Sequence, residues 1–180
     1  MLILMGPSAS GKTEIAKILD QNFNLHKVIT HTTREMRINE KNNIDYHFVD
    51  KKTFLAMKEN HRFIETTVYN DNFYGTSIDE IDDNKCIVLD PNGANNLKQM
   101  KLKNIFIVYL NCDECIRIAR MHSRNDKEDK IKSRIQSDSY SFNKNTKSIA
   151  DLCIDSNQLT PKDLASIIYE KYQGFLKANQ

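Results

Sequence analysis

Met1-Leu2-Ile3-Leu4-Met5 is a continuous apolar run, the pattern of a strand covered on both faces. From Thr13 the period lengthens, and Ile15, Ala16, Ile18 and Leu19 fall on one helical stripe. Cys86-Ile87-Val88-Leu89 and the run from Ile105 to Leu110 predict two more buried strands, and Leu152-Cys153-Ile154 a weaker one. The last helix carries its own start signal: Thr160 as cap, Pro161 at the first position and Asp163 at the third. Its apolar stripe is Leu164, Ile167, Ile168 and Tyr172. Strands alternating with helices predict an α/β fold with a parallel sheet and right-handed crossovers.

Two stretches break the rhythm. Residues 30–80 hold short aromatic strands, Tyr46–Val49 and Phe63–Tyr69, around a helix Lys51–Glu59 that Asp50 can cap. Residues 113–142 are polar and basic, with helical spacing but little core. Both are expected on the rim of the sheet, where function tends to sit.

A chain of 180 residues is enough for one domain with a single core. Its net charge of +2 is close to balance and argues for no nucleic-acid partner. The first apolar run is too short for a signal peptide or a membrane span, and no later run is long enough either, so the expected location is the cytoplasm. Cys112 and Cys115 form a C-x-x-C pair, but a closed zinc site needs four ligands. With Cys86 and Cys153 they are expected to be reduced thiols.

The chemistry begins at Gly6-Pro7-Ser8-Ala9-Ser10-Gly11-Lys12-Thr13, which matches G-x-x-x-x-G-K-[ST] at every fixed position. A strand precedes the motif and a helix follows it. Glycines let the loop turn tightly, so that backbone N–H groups face phosphate oxygens at the positive end of the helix. Lys12 is placed to bridge the terminal phosphates and Thr13 to hold Mg²⁺. Such a loop binds a nucleoside triphosphate but does not fix the reaction. The size of the chain favours a compact kinase, which needs an acceptor site near the γ-phosphate.

Residues 30–40, THTTREMRINE, set hydroxyls beside Arg34 and Arg37. Arginine forks suit an anion with several oxygens. By itself the pair also reads as surface arginines matched to Glu35 and Glu40.

Taken together, GPSASGKT, THTTREMRINE, IDYHFV, FIET, NFYGTS and LDPNGA resemble the guanylate kinase family in order and spacing, from residue 6 to residue 94. The resemblance implies a P-loop three-layer α/β/α fold with a central parallel sheet. The core would comprise residues 1–29, 81–112 and 143–180, the GMP-binding insertion residues 30–80, and the helical lid residues 113–142. It also implies that Arg34 and Arg37 grip the 5′-phosphate of GMP, with Tyr46 and Tyr74 giving hydroxyls to the same group. Glu65 stands at the family's guanine-reading position, and Thr30 and Thr76 where small hydroxyls contact the base. A carboxylate accepts from both N1–H and N2–H of guanine and repels the acceptor at adenine N1.

Asp90 has two readings. It closes an apolar strand like an acid near Mg²⁺, and it matches the family aspartate that contacts the guanine amino group, the role favoured here. The chain departs from the pattern at Val88, where many members carry another acid, and in the turn Asp90-Pro91-Asn92-Gly93.

Arg117, Arg120 and Arg124 recur on one helical face, and Arg134 follows. The last three match the lid arginines of the family, with Asn125 in place of a glycine. Arg117 matches none. The resemblance implies ATP and Mg²⁺ on residues 6–13, and a lid that closes to expel water. Lys12, Arg34, Arg120, Arg124 and Arg134 would share the charge of the transferring group. The adenine is expected near Asp155-Ser156-Asn157. The substrates implied are ATP and GMP or dGMP, with no nucleic-acid or membrane partner, for a monomer or homodimer. Two alternatives stay open: a related kinase with another nucleotide or a phospho-sugar as acceptor, and a non-catalytic module that binds a phosphorylated peptide.

Overall fold

A computed structural model of the chain describes residues 1–36, 40–69, 71–142 and 144–179. The elements in order are β1 (Leu2–Met5), α1 (Lys12–Phe23), β2 (His26–Lys27), β3 (His31–Thr32), β4 (His47–Phe48), α2 (Lys51–Glu59), β5 (Phe63–Tyr69) and β6 (Asn72–Ser77). There follow β7 (Lys85–Val88), α3 (Pro91–Gln99), β8 (Phe106–Asn111), α4 (Glu114–Ser123), α5 (Glu128–Ser141), α6 (Lys144–Lys147), β9 (Leu152–Asp155) and α7 (Pro161–Ala178).

The main sheet is parallel, in the order β2-β7-β1-β8-β9. β1 is its central strand, and each of its residues is buried. Alternation divides the strand between two layers. Leu2 and Leu4 pack with Ile15 and Leu19 of α1 and Ile168 and Tyr172 of α7. Met1, Ile3 and Met5 pack with Ala94 and Leu97 of α3. Helices on both faces are why the strand runs read as continuously apolar rather than alternating. No helix among the described residues is long and apolar enough to cross a membrane.

Caps fix several helix starts where the sequence places them. Thr160 Oγ1 accepts from Asp163 N–H at 3.2 Å, and Asp50 Oδ1 accepts from Thr53 N–H at 2.7 Å. Helix α3 was not expected. Asp90 Oδ1 accepts from Gly93 N–H at 2.7 Å and Pro91 takes the first helical position, which together start a helix of polar residues.

A second sheet, β4-β3-β6-β5, lies within residues 30–80. β5 and β6 pair antiparallel and put Thr67 opposite Tyr74. Phe54 of α2 is fully buried against them, stacked on Phe63 at 4.6 Å between ring centroids. The 113–142 stretch is a helix pair, α4 and α5. The turn between them holds Asn125 at φ 58°, a left-handed position that asparagine tolerates better than most residues, which explains how it stands there.

Candidate active site

Residues 6–13 leave the end of β1 and return into α1. Gly6 has no room for a side chain: a Cβ there would lie 2.6 Å from the Leu110 carbonyl oxygen of β8. Gly11, at φ 103°, is the residue before α1 and brings no capping side chain, which leaves the first N–H groups of the helix to a ligand. Lys12 Nζ folds back over the loop and donates to the carbonyls of Gly6 at 2.7 Å and Pro7 at 2.8 Å. Burial pulls its pKa down to about 8. Asp138 opposes that shift, and Arg117 and Arg124 add to it.

A cavity of about 520 Å³ runs from Ala9–Thr13 past Arg120 and Arg124 to Leu159, Pro161 and Leu164. A second, of about 350 Å³, is lined by Thr30, Arg34, Tyr46, Glu65, Tyr74 and Asp90. Between them a third, of about 260 Å³, holds Gly6, Lys12, Arg134 and Asp138. It shares Lys12 with the first cavity and Val88, Leu89 and Asp90 with the second. The three spaces adjoin through these shared residues.

The second cavity gathers most of the residues expected around an acceptor nucleotide. Arg34 Nη2 lies 2.7 Å from Glu40 Oε1, Arg34 Nη1 donates to the Glu35 carbonyl at 2.6 Å, and the guanidinium carbon sits 5.4 Å from the centre of the Tyr46 ring. Tyr46 and Tyr74 meet edge to face. Arg37 lies outside the described residues. Thr76 is fully buried behind the wall, where its hydroxyl donates to Glu65 Oε1 at 2.6 Å. Glu65 Oε2 is buried without a hydrogen-bond partner. Burial raises the Glu65 pKa, the Thr76 bond opposes this, and the nearby Asp90 charge adds to it. Asp90 lines this cavity while capping α3 with one oxygen and meeting the Thr67 hydroxyl with the other at 3.4 Å.

The arginines expected on the lid divide. Arg120 Nη2 donates to the Ser156 carbonyl at 2.7 Å and Nη1 to the Ala9 carbonyl at 3.2 Å, which ties α4 to the loop and to the end of β9. Arg124 and Arg134 share Asp126, at 3.3 and 2.8 Å. Arg117, on the same face of α4, points into protein and pairs with Asp138 at 2.7 Å. Sequence reasoning gave no site role to Asp138 or to the apolar wall of Leu159, Pro161 and Leu164. The available signals were the i, i+4 spacing of Asp138 from Arg134 and the position of the wall beside the predicted cap of the last helix.

The guanylate kinase family model matches residues 1–171. A guanylate kinase of Chlorobaculum tepidum is 31% identical over 145 residues, covering 76% of this chain and 74% of that protein. A MAGUK p55 subfamily member 7 of Danio rerio is 32% identical over 148 residues, which cover 74% of this chain but 25% of that protein. The solved structure of a guanylate kinase from Anaplasma phagocytophilum superposes with a TM-score of 0.71 at 23% identity, over 97% of this chain and 84% of that one.

Proposed function

The chain belongs to the guanylate kinase family, and from that premise we propose that it transfers the γ-phosphoryl group of ATP to GMP or dGMP, as a cytoplasmic enzyme. The observation that carries the acceptor assignment is the buried, unpartnered Glu65 Oε2 on the wall of the second cavity. A buried carboxylate oxygen without a donor is costly, and guanine supplies donors in the right place. With Oε1 fixed by Thr76, Glu65 presents one set orientation to N1–H and N2–H. Asp90 and Thr30 complete the base wall.

In this reading the acceptor phosphate draws Arg34 away from Glu40, and Tyr46 and Tyr74 add neutral donors. The triphosphate lies along the Gly6–Thr13 backbone, with the adenine against Leu159, Pro161 and Leu164. Thr13 at the start of α1 would offer a hydroxyl to Mg²⁺, which would supply screening of the triphosphate charge. Among the described residues no group of three or more His, Cys, Asp or Glu gathers to hold an ion by itself.

An oxygen of the GMP phosphate attacks the γ-phosphorus, and the bond from that phosphorus to the β,γ-bridging oxygen breaks. The bond electrons leave with ADP. The attacking oxygen is already anionic, so no side chain has to remove a proton. Lys12, Arg34, Arg120, Arg124 and Arg134 hold and neutralise the groups, and positioning with charge stabilisation provides the catalysis. The intact loop and its lysine support catalysis over a phosphopeptide-binding module. Incubating the protein with ATP, Mg²⁺ and GMP and resolving the nucleotides by chromatography tests the reading. GDP should appear in equal amount to ADP, and ADP without GDP would refute it.

A further inference from the structure

Arg117 and Asp138 are 6% and 8% exposed, so the pair is removed from water. Asp138 does more than neutralise the arginine. Its Oδ2 accepts from Arg117 Nη1 at 2.7 Å and from Ser8 N–H at 2.9 Å, and its Oδ1 accepts from the Ser8 hydroxyl at 3.1 Å. A side chain of α5 thus holds both donors of the third residue of the phosphate loop. A buried ion pair is weak evidence for stability, because apolar groups of similar volume often serve as well. An apolar side chain could not accept from Ser8.

The location supplies the rest. Asp138 and Arg134 are i, i+4 on α5 and therefore share a face. Both line the cavity that adjoins the two nucleotide pockets, together with Lys12 and Gly6. Fastening Asp138 to Ser8 fixes where Arg134 stands. A lone carboxylate beside Lys12 would repel an incoming polyphosphate, and Arg117, reaching in from α4, cancels that charge.

We propose that Arg117 and Asp138 are positioning residues, forming a charge-neutral latch that fastens lid helix α5 to the phosphate loop at Ser8 and so sets Arg134 over the transfer cavity before substrates bind. The proposal rests on the phosphotransfer reading for its catalytic consequence, but the latch itself exists without substrate. The root of the lid is then already docked in the free protein.

The test is the double variant R117M/D138L, which removes both charges together; because it also leaves the two Ser8 donors without Asp138, its melting temperature should fall by a few degrees while the fold persists. Turnover of ATP with GMP should fall roughly 10- to 100-fold, the scale expected when a catalytic group is misplaced by about 1 Å. KM for either substrate should change far less. Arg134→Ala should cost the parent heavily yet add little in the double variant, because an arginine that is no longer positioned has little left to lose. Parental turnover in a folded double variant, or an undiminished Arg134→Ala effect in it, would overturn the latch.

Amide hydrogen exchange at Ser8 in the unaltered, nucleotide-free protein gives a second measurement, independent of whether the variant folds. The Ser8 amide should be protected, and exchange at the rate of an open loop would also overturn the proposal. If the unaltered protein does not phosphorylate GMP, the phosphotransfer reading falls while Ser8 protection still decides the latch.

Discussion

The Thr76 hydroxyl donates to Glu65 Oε1 at 2.6 Å and leaves Oε2 of the same carboxylate buried and unpaired. One oxygen is anchored and the other waits for a donor. Glu65→Gln should therefore lower the kcat/KM preference for GMP over AMP by roughly 100-fold or more, since sites built to hydrogen-bond a group discriminate by factors of this order and above. Initial rates with each monophosphate check it, and an unaltered ratio would remove Glu65 as the reader.

The same substitution should change stability with a definite pH dependence. The folded-state pKa of Glu65 is raised, so the folded protein keeps this proton to higher pH than the unfolded chain does. Stability from that proton is present at acid pH and is lost as pH rises from the ordinary glutamate value through the raised one. The glutamine variant should thus melt higher than the parent near neutral pH, with the difference shrinking toward pH 4. Melting curves across that range measure it.

Arg34 rests on Glu40 at 2.7 Å, and the proposed acceptor phosphate would replace that carboxylate. Arg34→Ala should raise KM for GMP roughly 10- to 100-fold, from the loss of a charged hydrogen bond worth about 1.5–3 kcal/mol. Arg34→Lys should recover only part of this, because a point charge cannot replace the planar fork. KM for ATP should be nearly unchanged in both variants, as titrations of each substrate will show.

Lys12 gives the free protein a basic limit. Its pKa is pulled down to about 8, chiefly by burial, and the lysine must be charged to hold phosphates. kcat/KM for ATP should therefore decline above a pH of about 8, while kcat should decline at higher pH because bound phosphates favour the protonated amine. The stability effect has the opposite sign. The unfolded chain holds this proton to higher pH than the folded one, so folding gains stability as pH rises through about 8 toward the ordinary lysine value. Coincident breaks in kcat and kcat/KM would contradict this assignment.

Much of the fold was legible because its signals are local. The loop at residues 6–13, the apolar run of β1 and the caps at Asp50 and Thr160 all depend on residues close together in the chain. The rest depends on distant partners. β3 is two residues long and exists by pairing His31 with Gly75 and His47. α3 is polar and short, and needs the Asp90 cap to start. At the site, the residues expected around the acceptor do gather, except that Thr76 stands behind Glu65 and Arg37 lies outside the described residues. By sequence Asp126 is one of several acids that follow a basic helix. In the structure it holds Arg124 and Arg134 together, a bridge across a turn that no sequence spacing announces. Arg117 looked equivalent to Arg120 and Arg124 by period, and only packing shows that it turns inward.

Gly6 should tolerate no side chain. Its Cβ would press on the Leu110 carbonyl oxygen at 2.6 Å and the Ser10 hydroxyl at 2.9 Å, and the first of these is backbone that cannot rotate away. Gly6→Ala should cost about 1–3 kcal/mol, lower the melting temperature by several degrees and raise KM for ATP as the loop shifts. Calorimetry and steady-state kinetics measure the two effects.

The most direct measurement is ADP release from ATP and Mg²⁺ with GMP, dGMP, AMP, CMP and UMP supplied in turn to the purified protein. A carboxylate reader on the wall of the acceptor cavity predicts rapid release with GMP or dGMP and at least 100-fold slower release with the others. Equal rates with AMP and GMP, or release that ignores the acceptor, would contradict the account.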